Sequence, residues 1–223
     1  TNPKAKGEEK KAEKMIEQAM EQGADIECAE VTDVIDGEIK TVITDSGEFS
    51  GKSVIVATGA KHRMLGLERE QEFVGEGISF CAVCDGAFYR NQTVAIVGGG
   101  NTALQEAVML SDICTKVYVV QNLDFLTGEQ ALQNSVNEKE NIEVILGTTV
   151  AEILGDTEFK GIALDKNGER AELLVDGVFV AIGQQPENEP FKDVVKLNDY
   201  GYVVSGEDCL PETTESGIFV AGD

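Results

Sequence analysis

TVAIVGGGNTALQEA, residues Thr93–Ala107, decides the fold. Thr93–Val97 is an apolar, β-branched run without alternation, the pattern of a strand buried on both faces. Three glycines follow it, and Asn101–Ser111 then carries apolar residues at helical spacing. Lys116–Val120 (KVYVV) reads as the next strand. Strand, turn, helix and strand within about 30 residues form a βαβ unit, the building block of a parallel sheet. In the turn, Gly98, Gly100 and Ala103 stand in G-x-G-x-x-A order. Glycine there permits a tight turn and close backbone approach to a pyrophosphate, and the helix N-terminus offers free N–H groups with partial positive charge. Gly98, Gly99, Gly100, Asn101, Thr102 and Ala103 are therefore candidate dinucleotide-binding residues. The alternative is a purely structural turn.

Upstream, Glu8–Gln22 has Ala12, Met15, Ile16, Ala19 and Met20 on one helical face, and Gly23 stops it. Ile26–Ile35, Ile39–Thr44 and Ser53–Ala57 read as strands, punctuated by Asp36-Gly37 and Asp45-Ser46-Gly47. Leu65–Gly77 is polar and glycine-containing, the pattern of a linker. Downstream, Gly128–Asn137 reads as a helix and Ile142–Leu146 as a strand. Thr149–Ile153, Gly161–Leu164 and Ala171–Leu174 form a meander, then Val178–Ile182 ends in Gly183. Tyr202–Val204 and Gly217–Val220 are short strands near the end.

At 223 residues the chain has room for one or two domains. Hydrophobic residues at 42% and charged residues at 26% place it among folded soluble proteins. Its net charge of -23 would be repelled by nucleic acid and by anionic membranes. No run approaches the roughly 18 apolar residues of a membrane span, and no signal peptide is recognisable. Five cysteines, mostly scattered, point to a reducing cytoplasm rather than a disulfide framework.

Cys81 and Cys84 are the exception. Two intervening residues allow a small, reducible disulfide ring, and a nearby helix N-terminus would activate one thiol. Structural zinc needs four ligands; one cysteine pair and a single histidine, His62, do not supply them, so no metal is expected. Asp85 follows the pair and is a candidate proton carrier, with a capping or turn aspartate as the alternative. His62 reads as a surface residue, and Cys28, Cys114 and Cys209 as packing residues.

Taken together, CAVCDGAFYRNQ (Cys81–Gln92), VGGGNTALQEA (Val97–Ala107), FVAIGQQPEN (Phe179–Asn188), GIFVAGD (Gly217–Asp223) and VIVATGA (Val54–Ala60) resemble the low-molecular-weight thioredoxin reductases in order and spacing. The resemblance implies an α/β fold of two Rossmann-like domains with three-stranded meanders, the pyridine-nucleotide domain inserted in the FAD domain. The boundaries expected are 1–76 and 207–223 for parts of the FAD domain and 77–206 for the NAD(P)-type domain, with hinges near Gly75–Gly77 and Ser205–Gly206. It further implies a cytoplasmic homodimer that passes electrons from FAD through Cys81–Cys84 to thioredoxin. By motif position, Cys84 faces the flavin, Cys81 attacks thioredoxin and Asp85 is the acid/base. Thr58, Gly59 and Asp223 match flavin-contacting positions, and Gly183 joins the cofactor-binding set.

Two departures from the family pattern stand out. The opening strand and glycine turn for FAD are missing, and the chain ends where the last flavin-binding helix would begin, so a fragment of a longer chain is expected. The family's HRR-x-x-x-R phosphate clamp falls on Gln121, Asn122, Leu123 and Thr127, and no Lys, Arg or His occurs from Val117 to Glu138. Each lost charge-assisted bond is worth about 1.5–3 kcal/mol, so two losses weaken 2′-phosphate binding roughly a hundredfold or more. Gln121 and Asn122 would still hydrogen-bond a ribose. NADPH use is thereby in doubt, NADH stays open, and ferredoxin, the donor of some clostridial relatives, is the other candidate. The rival functions are a related disulfide reductase serving a peroxide-reducing partner and an idle nucleotide-binding module.

Overall fold

The computed structural model describes residues 13–206 and 210–222. Cys209 and Asp223 lie outside them, as does the start of the first expected helix. The chain packs as two compact units: residues through Gly59 together with those from Glu187 onward, and Ala60–Pro186.

In the first unit, helix α1 covers 13–21. Strands β1 (Val31–Ile35), β2 (Lys40–Thr44) and β3 (Gly47–Gly51) form an antiparallel meander. Asp36-Gly37 makes the first turn as its sequence suggests. The β3 strand was not legible, because GEFSG is almost wholly exposed and reads as turn residues. β4 (Val54–Val56) pairs in parallel with the final strand, Ile218–Val220. Val34, Val56, Phe191, Val195 and Ile218 make the buried core of this unit. Tyr202–Val204 is not a strand; Val203 makes only an isolated bridge to Leu197.

The second unit begins with β5 (Ala60–His62), α2 (Glu70–Phe73), β6 (Ile78–Ser79) and α3 (Ala82–Asp85). The nucleotide-type run follows as β7 (Thr93–Val97), α4 (Asn101–Ser111), β8 (Lys116–Val120), α5 (Gln130–Asn137) and β9 (Ile142–Ile145). The meander β10 (Thr149–Leu154), β11 (Gly161–Lys166) and β12 (Glu169–Leu174) leads to β13 (Gly177–Val180) and β14 (Gln184–Pro186). The central sheet is wholly parallel, in the order β6-β13-β7-β8-β9. The order reverses between β7 and β13, so the carboxyl ends of those two strands flank a switch-point crevice, where ligands of such sheets bind.

Both faces of the sheet are covered, which explains its unbroken apolar runs. On one face Val94, Ile96, Val117, Val119 and Phe179 pack against Ala103, Leu104, Ala107 and Leu110 of α4. On the other, Ala95, Val97, Val120, Val178 and Val180 meet Ile153, Ile162 and Leu164 of the meander.

The segment expected to be a linker, Leu65–Gly77, is built into this unit. Glu70 is 2% exposed, and its carboxylate accepts N–H bonds from Leu65, Gly66 and Leu67. Arg69 donates to the carbonyls of Gly155 and Asp156. Between the units the chain crosses at 59/60 and 186/187, where β5 pairs antiparallel with β14.

Candidate active site

The redox pair sits where β6 gives way to α3. Cys81 and Cys84 are joined as a disulfide, with their Cα atoms 5.3 Å apart. Cys81 is the extended N-cap of α3, and its Sγ accepts the Cys84 N–H at 3.2 Å. The N–H groups of Cys84 and Asp85 both point at the Cys81 carbonyl oxygen. Gly86, just past α3, lets the redox segment close on α4, because a Cβ there would press into Leu110. Cys84 is exposed and Cys81 half-buried.

Polar groups brace the pair on both sides. The Ser79 hydroxyl donates to Asp85 Oδ2 at 2.7 Å, and Ser79 Oγ accepts the Cys81 N–H at 3.2 Å. Across the pair, Glu106 of α4 accepts the Ala82 N–H at 3.2 Å. Burial holds the Glu106 carboxyl above its ordinary range, and the Ala82 hydrogen bond offsets this only in part. Burial likewise raises Tyr89, with Asp85 and then Asp176 adding repulsion against its ionised form. Neither Ser79 nor Glu106 was singled out in the sequence. The S-x-C-x-x-C-D spacing was the available signal for Ser79; nothing local in the sequence links Glu106 to residue 82.

The glycine turn has the geometry its sequence suggests. Gly98 has φ 135°, and a Cβ there would overlap the Ala181 carbonyl oxygen, so glycine is obligatory. Gly100 caps α4 with no side-chain cap bond, and Asn101 and Thr102 are exposed while Ala103 is fully buried. The Asn101 side chain is paired with Glu129, accepting its N–H at 2.7 Å and donating to its carboxylate at 3.1 Å. Gly99 accepts the N–H groups of Thr127 and Gly128.

Gln121 is 5% exposed; its Nε2 donates to the Phe125 carbonyl at 3.4 Å and its side chain fills the space above Gly99. Around it, Asn122, Leu123 and Phe125 are exposed. Gly183, with φ 92° and open space beside it, ends the segment after β13.

In the other unit, Gly59 follows β4 with φ 66° and nothing where a Cβ would stand. The neighbouring Thr58 donates its hydroxyl to Asn188 at 2.9 Å. A flavin edge laid against the end of β4 would meet bare backbone at Gly59, so these residues fit that part of the group.

The remaining candidates are peripheral. His62 is exposed as expected, yet it stacks on Phe80, next to Cys81, with ring centroids 5.1 Å apart. Cys114 is buried and donates to the Tyr89 carbonyl. Cys28 is exposed rather than packed, a correction to its expected role; it lies before β1 in an exposed stretch that no element covers. Among the described residues no cluster of three or more His, Cys, Asp or Glu could hold a metal, and no helix is long and apolar enough to cross a membrane.

Residues 2–223 match the model of the pyridine nucleotide-disulphide oxidoreductase family. A thioredoxin reductase of Listeria monocytogenes is 38% identical over 95% of this chain and 67% of its own length. The chain belongs to the thioredoxin reductase family. The Bacillus subtilis thioredoxin reductase is 36% identical over 94% of this chain and 67% of its own length. Among solved thioredoxin reductases, that of Streptococcus pyogenes superposes with a TM-score of 0.77 at 32% identity, covering 96% of this chain and 71% of that one. That of Lactococcus lactis gives 0.73 at 35% identity, covering 87% and 65%. The chain thus spans about two thirds of the length of the thioredoxin reductases it matches. As a family member it is an α/β oxidoreductase with a redox disulfide, and FAD is the family's cofactor.

Proposed function

We propose that this chain carries the redox half of a flavin-dependent thioredoxin-disulfide reductase. The observation that carries the reading is the Cys81–Cys84 disulfide at the N-terminus of α3, with Asp85 beside it and a dinucleotide-type sheet beneath. Bound flavin supplies the electron pair. Two electrons and one proton break the Sγ–Sγ bond, leaving Cys81 as thiolate and Cys84 as thiol. The Cys81 thiolate attacks thioredoxin's disulfide, forming a mixed disulfide and expelling one thioredoxin thiolate. Asp85 takes the Cys84 proton, and Cys84 attacks Cys81 Sγ. The pair closes again, and the second thioredoxin sulfur leaves with the proton from Asp85. Two electrons and one proton pass from the enzyme pair to thioredoxin, leaving one thiol and one thiolate there, so the step balances.

In this reading Thr58, Gly59 and Asp223 border the flavin, and Gly98–Ala103, Gln121 and Gly183 line the donor side. The FAD and NAD(P)-type domains, expected at 1–76 with 207–223 and at 77–206, correspond to the two compact units, which divide at 59/60 and 186/187. Gln121 is turned inward to Phe125, and residues 117–138 offer a 2′-phosphate no cation, which weighs against NADPH without deciding the donor. NADH and reduced ferredoxin are the donors to separate. The parent enzyme is a homodimer of the cytoplasm, a compartment consistent with the free thiols of Cys28 and Cys114.

The test is anaerobic reduction of the full-length flavoenzyme by NADPH, NADH or reduced ferredoxin, followed by addition of oxidised thioredoxin. Thioredoxin is expected to reoxidise the wild type, and Cys81→Ser or Cys84→Ser to abolish that reoxidation. Turnover that survives both substitutions contradicts the reading, and flavin bleaching by micromolar NADPH contradicts its donor clause.

A further inference from the structure

Ser79 stands at the end of β6, and β6 is held in register by β13, with Ser79 opposite Phe179. Phe179 is fully buried and Ser79 only 5% exposed, so its oxygen is fixed to the sheet rather than to a mobile loop. That oxygen makes two bonds that meet at the redox pair, donating to the Asp85 carboxylate at 2.7 Å and accepting the Cys81 N–H at 3.2 Å. A third contact, to the Cys81 carbonyl oxygen at 3.5 Å, is the long alternative for the same proton. Asp85 stands at the N-cap of the 3-10 turn Gly86–Tyr89, yet its side chain makes no capping bond there. The carboxylate is turned toward the serine instead.

We infer that Ser79 is a positioning residue of thiol–disulfide exchange, holding the proton-carrying carboxylate of Asp85 and the backbone of Cys81 on one oxygen. The inference deepens the proposed function and rests on its assignment of Cys81–Cys84 as the redox pair. During exchange the proton moves from the Cys84 sulfur to Asp85 and on to the departing thioredoxin sulfur. Ser79 neither gains nor loses a proton. Its donated hydrogen bond fixes the direction of the Asp85 carboxylate that accepts the Cys84 proton. Tyr89 on the following 3-10 turn feels the charge of Asp85 and, more weakly, of Asp176, while Glu106 of α4 binds the Ala82 N–H beside Cys81.

The experiment uses the full-length flavoenzyme reduced by dithionite, so that the identity of the donor does not enter. Its turnover with oxidised thioredoxin is followed at pH 7.5 for wild type, Ser79→Ala, Ser79→Thr and Asp85→Asn. Ser79→Ala is expected to lower kcat about tenfold with KM for thioredoxin unchanged. Ser79→Thr keeps the hydroxyl and is expected to restore kcat. In Asp85→Asn, adding Ser79→Ala costs nothing further. An unchanged kcat in a folded Ser79→Ala enzyme overturns the inference. Should Ser79→Ala not fold, a loss of kcat of about tenfold in a folded Ser79→Thr enzyme overturns it equally. Failure of the wild type to reduce thioredoxin would instead strike the proposed function, so the two failures are distinguishable.

Discussion

Glu106 shows how one buried carboxyl ties stability to pH. Its folded-state affinity for the proton is raised, chiefly by burial. A carboxyl with a raised folded value stabilises the fold fully below its unfolded value, and that contribution is lost as pH rises through the folded value. Glu106→Gln keeps an acceptor for the Ala82 N–H but never ionises. Wild type and variant are therefore expected to be equally stable near pH 4, with the variant gaining relative stability toward pH 7, read by urea unfolding. A gap that shrinks with rising pH would contradict this. Cys114 is the second case. Burial first, and Asp176 second, push its thiol up to about 11. At pH 8 roughly one part in a thousand is thiolate, so brief native alkylation is expected to label exposed Cys28 and spare Cys114. Peptide mass mapping reads the result; equal labelling would mean that the pocket around Tyr89 opens.

The β7–turn–α4 unit was the most legible element. TVAIV could only be a doubly buried strand, and three glycines before a periodic run could only open a helix tightly. Gly98→Ala places a side chain at φ 135° and against the Ala181 carbonyl. It is expected to cost about 2–4 kcal/mol in urea unfolding of the full-length enzyme, more than the 1–3 kcal/mol of backbone strain alone. Gly168→Ala, at φ 89° in an open hairpin turn, should cost only about 1 kcal/mol. Equal losses would show that the clash at Gly98 relaxes freely. What the sequence hid were elements made by distant pairing. β6 has only two residues and exists because β13, about 100 positions later, pairs with it. β5 and β14 are three residues each and define one another. No local period marks such strands; for Ser79 the S-x-C-x-x-C-D spacing was the one local signal, and the strand that fixes its oxygen was not legible. The Leu65–Gly77 segment misled in the opposite sense. Its polar composition reads as a linker, but Glu70 satisfies three backbone N–H groups that a linker would give to water.

At the scale of the molecule, an acidic chain of two compact units keeps the redox disulfide and the glycine turn Gly98–Gly100 on one unit and Thr58 and Gly59, proposed to border the flavin, on the other. Electron flow through such an enzyme needs the donor, flavin and disulfide to meet in turn, so gating by domain motion is expected to limit turnover. Solvent viscosity should therefore slow thioredoxin reduction by the full-length enzyme more than it slows the reaction of the pre-reduced dithiol with a small disulfide; equal slowing would argue against gating. The central claim, that Cys81 is the sulfur that attacks thioredoxin, is tested most directly by trapping. Full-length Cys84→Ser enzyme, with Cys81 reduced, is mixed with oxidised thioredoxin and analysed by intact-mass and peptide mass spectrometry. The account predicts a one-to-one mixed disulfide through Cys81, because no resolving thiol remains at position 84. A mixed disulfide through Cys28 or Cys114, or no adduct at all while the matching Cys81→Ser enzyme forms one through Cys84, would contradict it.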